Sequence, residues 1–396
     1  MKIIVATSTA PSAEQAVADI IGQMPTAKSD PDFIAVHFSA VYDQAVIQNG
    51  LRNLAKGSFH GATSCQGVMS DTGMQSINGL GAGAFCIWDP EGAYGTAMRP
   101  IGDNARASAR DATEAALRAA GRYGEAPDMV WLSTVPGTEE AVLEGVQSVL
   151  GRNVPILGGS AADNDVSGNW SVFDRDSCAE NGVAVSVLFP SGDVSFAYHN
   201  GYAPTLHSGQ VTKANGRRLI EIDNRPAADV YCGWTGGAVQ PKTPTSESAS
   251  ILADSTLSPL GRHLRNVGTV PYFRLAHPST LHPDGSLDLF ADVSEGDVLT
   301  LMQGSVSSLT ERAGKVTCLA GRVGGMSQDD VKGALVVYCG GCMMAVQDRM
   351  DDVVGGINNV LSGKPFMGIF SFGEQGMAFD GQNHHGNLMI SSIVFS

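Results

Sequence analysis

Residues 50–64 read GLRNLAKGSFHGATS, and residues 356–371 read GINNVLSGKPFMGIFS. With one inserted residue, Gly50, Asn53, Gly57, Phe59, Gly61 and Ser64 meet Gly356, Asn359, Gly363, Phe366, Gly368 and Ser371. Each segment reads as a helix end, a glycine stop and a strand, and each follows an earlier apolar run, ending at Ser39 in one and at Gly340 in the other. Such self-similarity is the mark of a duplicated unit. It predicts two equivalent strand-end loops, which is where helix-covered sheets bind ligands.

The rest of the chain supports a sheet covered by helices. Apolar runs over residues 2–7, 32–38, 58–63, 80–88, 129–132 and 154–157 lack the polar alternation of a half-exposed strand. Helical spacing separates them at 13–22, 42–54, 103–120 and 138–150. Consecutive strands follow at 183–189, 194–198, 209–212 and 218–223, with hairpin signals at Ser191-Gly192-Asp193 and Asn215-Gly216. Residues 236–250 are linker-like; beyond them lie strands near 271–275, 287–290, 298–302 and 334–339, one helix at 343–361 and two last strands. The expected fold is α/β, with two pseudo-duplicated mixed-sheet domains carrying covering helices and divided at 1–225 and 226–396.

Charge restricts the partners. Twenty-five Lys and Arg stand against 40 Asp and Glu, a net charge of −15, so nothing offers the basic surface that nucleic acid or an anionic membrane requires. No apolar run reaches the ~18 residues of a membrane span, and Met1-Lys2 opens no signal-peptide core. The seven cysteines are odd in number and scattered, as in a reducing compartment, and a cytoplasmic protein is expected. Glycine is in excess at 48 of 396 residues, and many fall in the strand-end loops, where side-chain-free backbone can line a pocket.

Chemistry-bearing residues gather at those loops. Cys339-Gly-Gly-Cys342 links a strand to a helix whose N-terminal partial charge favours thiolate. It is a possible redox pair, although packing or ligand-contacting thiols are the plainer reading. Four-thiolate zinc would need distant ligands, and no metal site is expected. Gly158-Gly159-Ser160-Ala161-Ala162-Asp163 follows a strand, so its amides could meet an anion, but it lacks phosphate-loop spacing. Glu374, beside Gly373, suits a ligand ammonium or a general base, and equally an exposed loop carboxylate. His384-His385 near Asp380, and His199 and His207, are histidines of interest that a solvated loop would also explain.

Taken together, Gly61–Cys65, Val154–Asp163, Val211–Gly216, Glu221–Tyr231, Cys339 and Gly368–Gly376 resemble the FIST sensory-domain family over nearly the whole chain, with an N-terminal and a C-terminal half. The resemblance implies a cytosolic small-ligand sensor in signal transduction. Stand-alone members of that kind include haem-binding nitric-oxide sensors acting on a histidine kinase, so haem is a possible cofactor and a histidine kinase or other signalling protein a possible partner. Two departures stand out: Cys65-Gln66-Gly67 where a Gly-Glu pair is usual, and Cys342 where many members carry Arg. The expected ligand site comprises Cys65, Gly158, Gly159, Ser160, Asp163, Cys339, Cys342, Glu374 and His385. The enzyme alternative makes Cys339 a nucleophile, with Glu374 assisting, or uses the Cys339/Cys342 pair for redox chemistry.

Overall fold

A computed structural model describes residues 1–25, 30–54, 57–239 and 247–396. The first sheet is built from β1 (Lys2–Ser8), β2 (Phe33–Phe38), β3 (Ser58–Thr63) and β4 (Ala82–Trp88), with α1 (Ala13–Gly22) between β1 and β2 and α2 (Gln44–Leu51) between β2 and β3. β2 and β3 run parallel, and β4 lies antiparallel between β1 and β2. The strand order is therefore first, fourth, second, third.

The same unit recurs twice. β5 (Ala93–Pro100), α3 (Ala105–Ala119), β6 (Met129–Thr134), α4 (Glu139–Leu150), β7 (Ile156–Ser160) and β8 (Gly182–Phe189) form the second copy, again with the order first, fourth, second, third. The third uses β9 (Val194–Asn200), α5 (Val306–Val323), β10 (Gly333–Cys339), α6 (Met350–Leu361), β11 (Phe366–Ser371) and β12 (Met389–Phe395). The sequence echo between residues 50–64 and 356–371 is thus two members of a set of three. In register, Ile34 pairs Phe59, Val130 pairs Ile156 and Ala334 pairs Phe366. Aligned on these pairs, Gly61, Gly158 and Gly368 occupy one equivalent position.

Packing follows the repeat. Inward-facing Phe33, Trp131 and Leu335 belong to one shared core where the three sheets meet. Each outer face carries its own helices: Ile34 and Val36 pack with Ile20 and Ile47, Val130 and Leu132 with Ala112 and Val146, and Ala334 and Val336 with Ala313 and Ile357. Burial on both faces explains why the strands read as unbroken apolar runs.

The copies are also interlocked. Between its third and fourth strands each copy carries a short ribbon: Val68–Ser70 with Gly73–Gln75, Val172–Phe173 with Cys178–Ala179, and Glu374–Met377 with Asn383–Gly386. Each ribbon extends a neighbouring copy's sheet. The first pairs with β11, the second with β3 and the third with β7, so the exchange closes into a ring.

Between β9 and α5 the third copy receives an insert. Its strands, from Ala203–Asn215 to Val298–Gln303, form an antiparallel sheet with a core of Val211, Leu219, Ile222, Tyr231 and Leu287. The Asn215-Gly216 turn joins a real hairpin there, with Gly216 at φ +57°. The Ser191-Gly192-Asp193 turn does not: β8 pairs β5 and β6 while β9 pairs β12, so the turn carries the chain from one sheet to the next. The expected single helix at 343–361 is broken into Gly340–Ala345, a 3-10 turn and α6. Residues 240–246 of the linker-like segment lie outside the described residues. β5 carries no clear apolar period in the sequence, whereas α5 does, with Leu309, Ala313, Val316 and Ala320 on its buried face. α5 is held by a Ser305/Ser308 capping box and buries mainly small residues. Among the described residues no helix is long and apolar enough to cross a membrane.

Candidate functional site

The carboxyl ends of β3, β7 and β11 converge. Cys65 N–H donates to the Phe370 carbonyl at 3.0 Å, Ala162 N–H to Thr63 at 3.2 Å, and Ser160 N–H to Gly373 at 2.8 Å. At this pole the third copy departs from the other two. By strand register, Cys339 stands where the first two copies have Ser39 and Val135. Glu374, paired with Gly159, stands where they have Val68 and Val172. A carboxyl and a thiol therefore replace apolar or small side chains at one of three equivalent sites.

The substitution is held tightly. Glu374 is fully buried; its Oε1 accepts the Ser371 hydroxyl at 2.7 Å and its Oε2 the Met389 N–H at 2.8 Å. Burial, reinforced by the neighbouring Cys339, pushes its pKa well above the usual carboxylate range and so favours the neutral form. The Cys339 thiol is hydrogen-bonded to Cys342, which together with burial raises its pKa, while the N–H groups of Cys342 and Leu388 pull the other way and lose. The helix N-terminus therefore does not make it a thiolate. Cys342 also lies 3.5 Å from the Tyr202 hydroxyl.

Cys339 opens onto a cavity of about 400 Å³ between the third copy and the insert. Gly341, Met344, Phe372 and Asn387 line it from the third copy, and Val166 from the second. The insert contributes Leu252, Thr256, His277 and Phe290. Val166 is placed by Asp163, whose carboxylate accepts N–H groups of Asp165, Val166, Gly168 and Asn169 and so folds the loop, with Val166 at φ +61°. His277 is buried, which lowers its pKa to about 4, and its Nε2 bonds the Leu252 carbonyl at 3.1 Å.

The expected site residues are brought only partly together. Cys339 and Glu374 adjoin, with Cys342 behind them. Cys65 packs against the backbone at Gly340, outside the cavity lining, its thiol pushed up to about 12 by burial with help from Asp163 and Cys339. Gly158 and Gly159 are strand residues under close contact: a Cβ on Gly158 would lie 1.8 Å from the Leu132 carbonyl oxygen, and one on Gly159 2.7 Å from Ser371 Cβ.

Ser160 and His385 belong to a separate polar cluster. Ser160 donates to Glu139 at 2.8 Å, and His385 sits 3.8 Å from the same carboxylate. Arg217 of the insert bridges Glu139 and Glu140 at 2.6 Å each. Burial works to raise Glu140, but His385 and Arg217 outweigh it and hold its pKa at about 2. Glu139, Glu140 and His385 are close enough to hold a cation, but the guanidinium already supplies the positive charge. His384 pairs Asp380 at 2.8 Å, His199 packs on Tyr272, and His207 stacks on Trp234. His277, Asn387 and Phe290 were invisible as site residues in the sequence, because only folding brings the insert over the third copy.

A ring of helix-covered mixed sheets, with one polar departure beside a cavity, is the architecture of an α/β protein suited to a small ligand. The chain belongs to the FIST family: the FIST N domain model matches residues 32–225 and the FIST C domain model residues 227–377. FIST domains are small-ligand sensory domains of signalling systems. An uncharacterized protein of Methanocaldococcus jannaschii is 30% identical over 96 residues, covering 24% of this chain and 18% of that protein. Among solved structures, a cyanuric acid hydrolase described as an innovation by structural concatenation is 10% identical, with TM-score 0.39, covering 100% of this chain and 99% of its own. The cyanuric acid hydrolase from A. caulinodans is 9% identical, with TM-score 0.39, covering 99% and 98%.

Proposed function

We propose that this protein is a sensor that holds its ligand in the cavity beside Cys339 and transmits occupancy through the insert to a signalling partner, such as a histidine kinase. The observation that carries this reading is the buried Cys339/Glu374 pair at positions where the other two copies have Ser39/Val68 and Val135/Val172. Even bonded by Ser371 and Met389, a buried carboxyl costs more than the Val found at the two equivalent positions, so its presence here favours a role beyond packing. Native mass spectrometry of freshly purified protein, followed by hydrogen exchange of the loaded and stripped forms, tests it. Slower exchange on loading at residues 252–256 and 340–345 is expected; protection confined to other segments overturns the reading.

Haem draws little support from this cavity, because among the described residues no Lys or Arg lines it to meet propionates. The nucleophile alternative draws little support from a buried thiol with a raised pKa. One observation favours a redox role: Cys339 and Cys342 are buried neighbours one helical turn apart, and Cys342 helps to raise the Cys339 pKa. Oxidised glutathione would take two electrons and two protons from the pair, leaving a Cys339–Cys342 disulfide and two glutathione thiols. Unchanged free-thiol counts at both positions after that treatment would end the redox reading.

A further inference from the structure

Among the described residues, the cavity lining contains no Asp, Glu, Lys or Arg. An amino acid or other zwitterion placed there would leave both charges without partners, at a cost of several kcal/mol for each ion. Glu374 supplies no counter-charge, because it is enclosed behind Cys339 and already bonded by Ser371 and Met389. The walls are instead aromatic and soft. Phe290 and Phe372 face the space with Met344, and Phe372 is held in place by an edge contact with Trp170 at 6.3 Å. Such walls suit a flat ring.

Ser250 places an exposed hydroxyl at the cavity's edge, and one buried lining side chain also keeps a polar atom available. His277 Nε2 bonds a carbonyl oxygen and so must carry the ring proton, which leaves Nδ1 as an acceptor. Among the described residues nothing donates to Nδ1, and it is not among the enclosed polar atoms that lack partners, so it is accessible from the cavity that His277 lines. Thr256 is already spent, its hydroxyl donating to the Leu252 carbonyl at 3.0 Å.

Building on the ligand-binding reading of this cavity, we infer that its ligand is an uncharged aromatic molecule with a single N–H or O–H donor directed at His277 Nδ1. A cavity of about 400 Å³ accommodates a bicyclic ring. Indole and L-tryptophan are suitable probes, because they share a ring and differ in the charged head group, while 1-methylindole lacks the donor.

Calorimetric titration of the full chain with these three compounds tests the inference. Indole should bind, 1-methylindole should bind roughly 3- to 10-fold more weakly, as expected for one neutral hydrogen bond, and L-tryptophan should give no saturable heat. In His277→Phe the difference between indole and 1-methylindole should vanish; if that variant does not fold, the wild-type comparison alone decides. Equal binding of L-tryptophan overturns the uncharged class, and equal binding of 1-methylindole overturns the role of His277. If no probe binds, the aromatic class is overturned. The cavity reading then stands or falls separately, on whether a molecule retained through purification slows exchange at residues 252–256 and 340–345.

Discussion

The Glu374 carboxyl accepts the backbone N–H of Met389 at 2.8 Å, joining the exchanged ribbon of the third copy to the start of that copy's last strand. An amide matches the carboxyl in shape: its oxygen can accept the Met389 N–H while its NH2 donates to the Ser371 hydroxyl oxygen. Glu374→Gln should therefore stay within about 1 kcal/mol of wild type near pH 5, while Glu374→Ala should lose roughly 2–3 kcal/mol by leaving the Met389 N–H unpaired above a void. The pH dependence has a definite sign. A carboxyl whose folded pKa is raised contributes stability that is present below the unfolded value and declines as pH rises towards the folded one. Glu374→Gln should thus gain on wild type between pH 5 and pH 8 in urea unfolding.

The equivalent glycines should not respond alike. A Cβ on Gly158 meets backbone, the Leu132 carbonyl oxygen at 1.8 Å, whereas one on Gly368 meets Met69 Cε at 2.4 Å. Backbone cannot yield as a methionine tip can. Gly158→Ala should abolish soluble folded protein or cost well above the ~1–3 kcal/mol usual for overpacking, and Gly368→Ala should fall within that range. Thermal unfolding of the two variants side by side decides.

His37 lies at the shared core with neither ring nitrogen conventionally hydrogen-bonded, and burial lowers its pKa to about 3. The unfolded chain takes up a proton near pH 6.5 that the folded protein refuses, so stability falls as pH drops from there towards 3. At ~1.4 kcal/mol per unit, His37 accounts for about 3 kcal/mol of that loss by pH 4. His37→Phe should flatten the acid limb by about this amount; an unchanged slope would be incompatible with a neutral buried imidazole.

Thiol reactivity should follow burial. Cys178 is exposed, whereas Cys339, Cys65 and Cys86 are enclosed, with raised pKa values. Iodoacetamide at pH 7.5 should label Cys178 at least tenfold faster than Cys339, read by peptide mass spectrometry. Rapid labelling of Cys339 would revive the nucleophile alternative.

Arg217 ties the insert to the first turn of α4. Its removal leaves Glu139, 1% exposed, with only Ser160 and the Gly137 N–H as donors. Arg217→Ala should cost about 3 kcal/mol and speed hydrogen exchange in the hairpin around Gly216 more than in β10.

Much of the frame was legible in the sequence because buried strands and amphipathic helices carry periodic signals, as at β2, β6, β10 and α3. The threefold recurrence was hidden where that signal fades. β5 holds Gly95, required because α3 approaches within 2.0 Å of where its Cβ would be, and the third copy is split by the insert. Cys339 and Glu374 were legible as chemistry-bearing residues in glycine loops. His277 and Asn387 were not, since their significance comes from contacts between segments distant in the chain.

The exchanged ribbons bear on the order of assembly. In the first copy Lys2 finds Trp88, and in the second Ala93 finds Phe189, but in the third Val194 must wait for Phe395, across the whole insert. β11 in turn needs the ribbon at Val68 from the first copy, and β7 the one at Glu374 from the third. No copy can complete its sheet with its own residues alone. Long-range pairing of this kind slows folding and favours a late, concerted final step. The cavity beside Cys339, built on the last copy to close, comes into being only when the ring does.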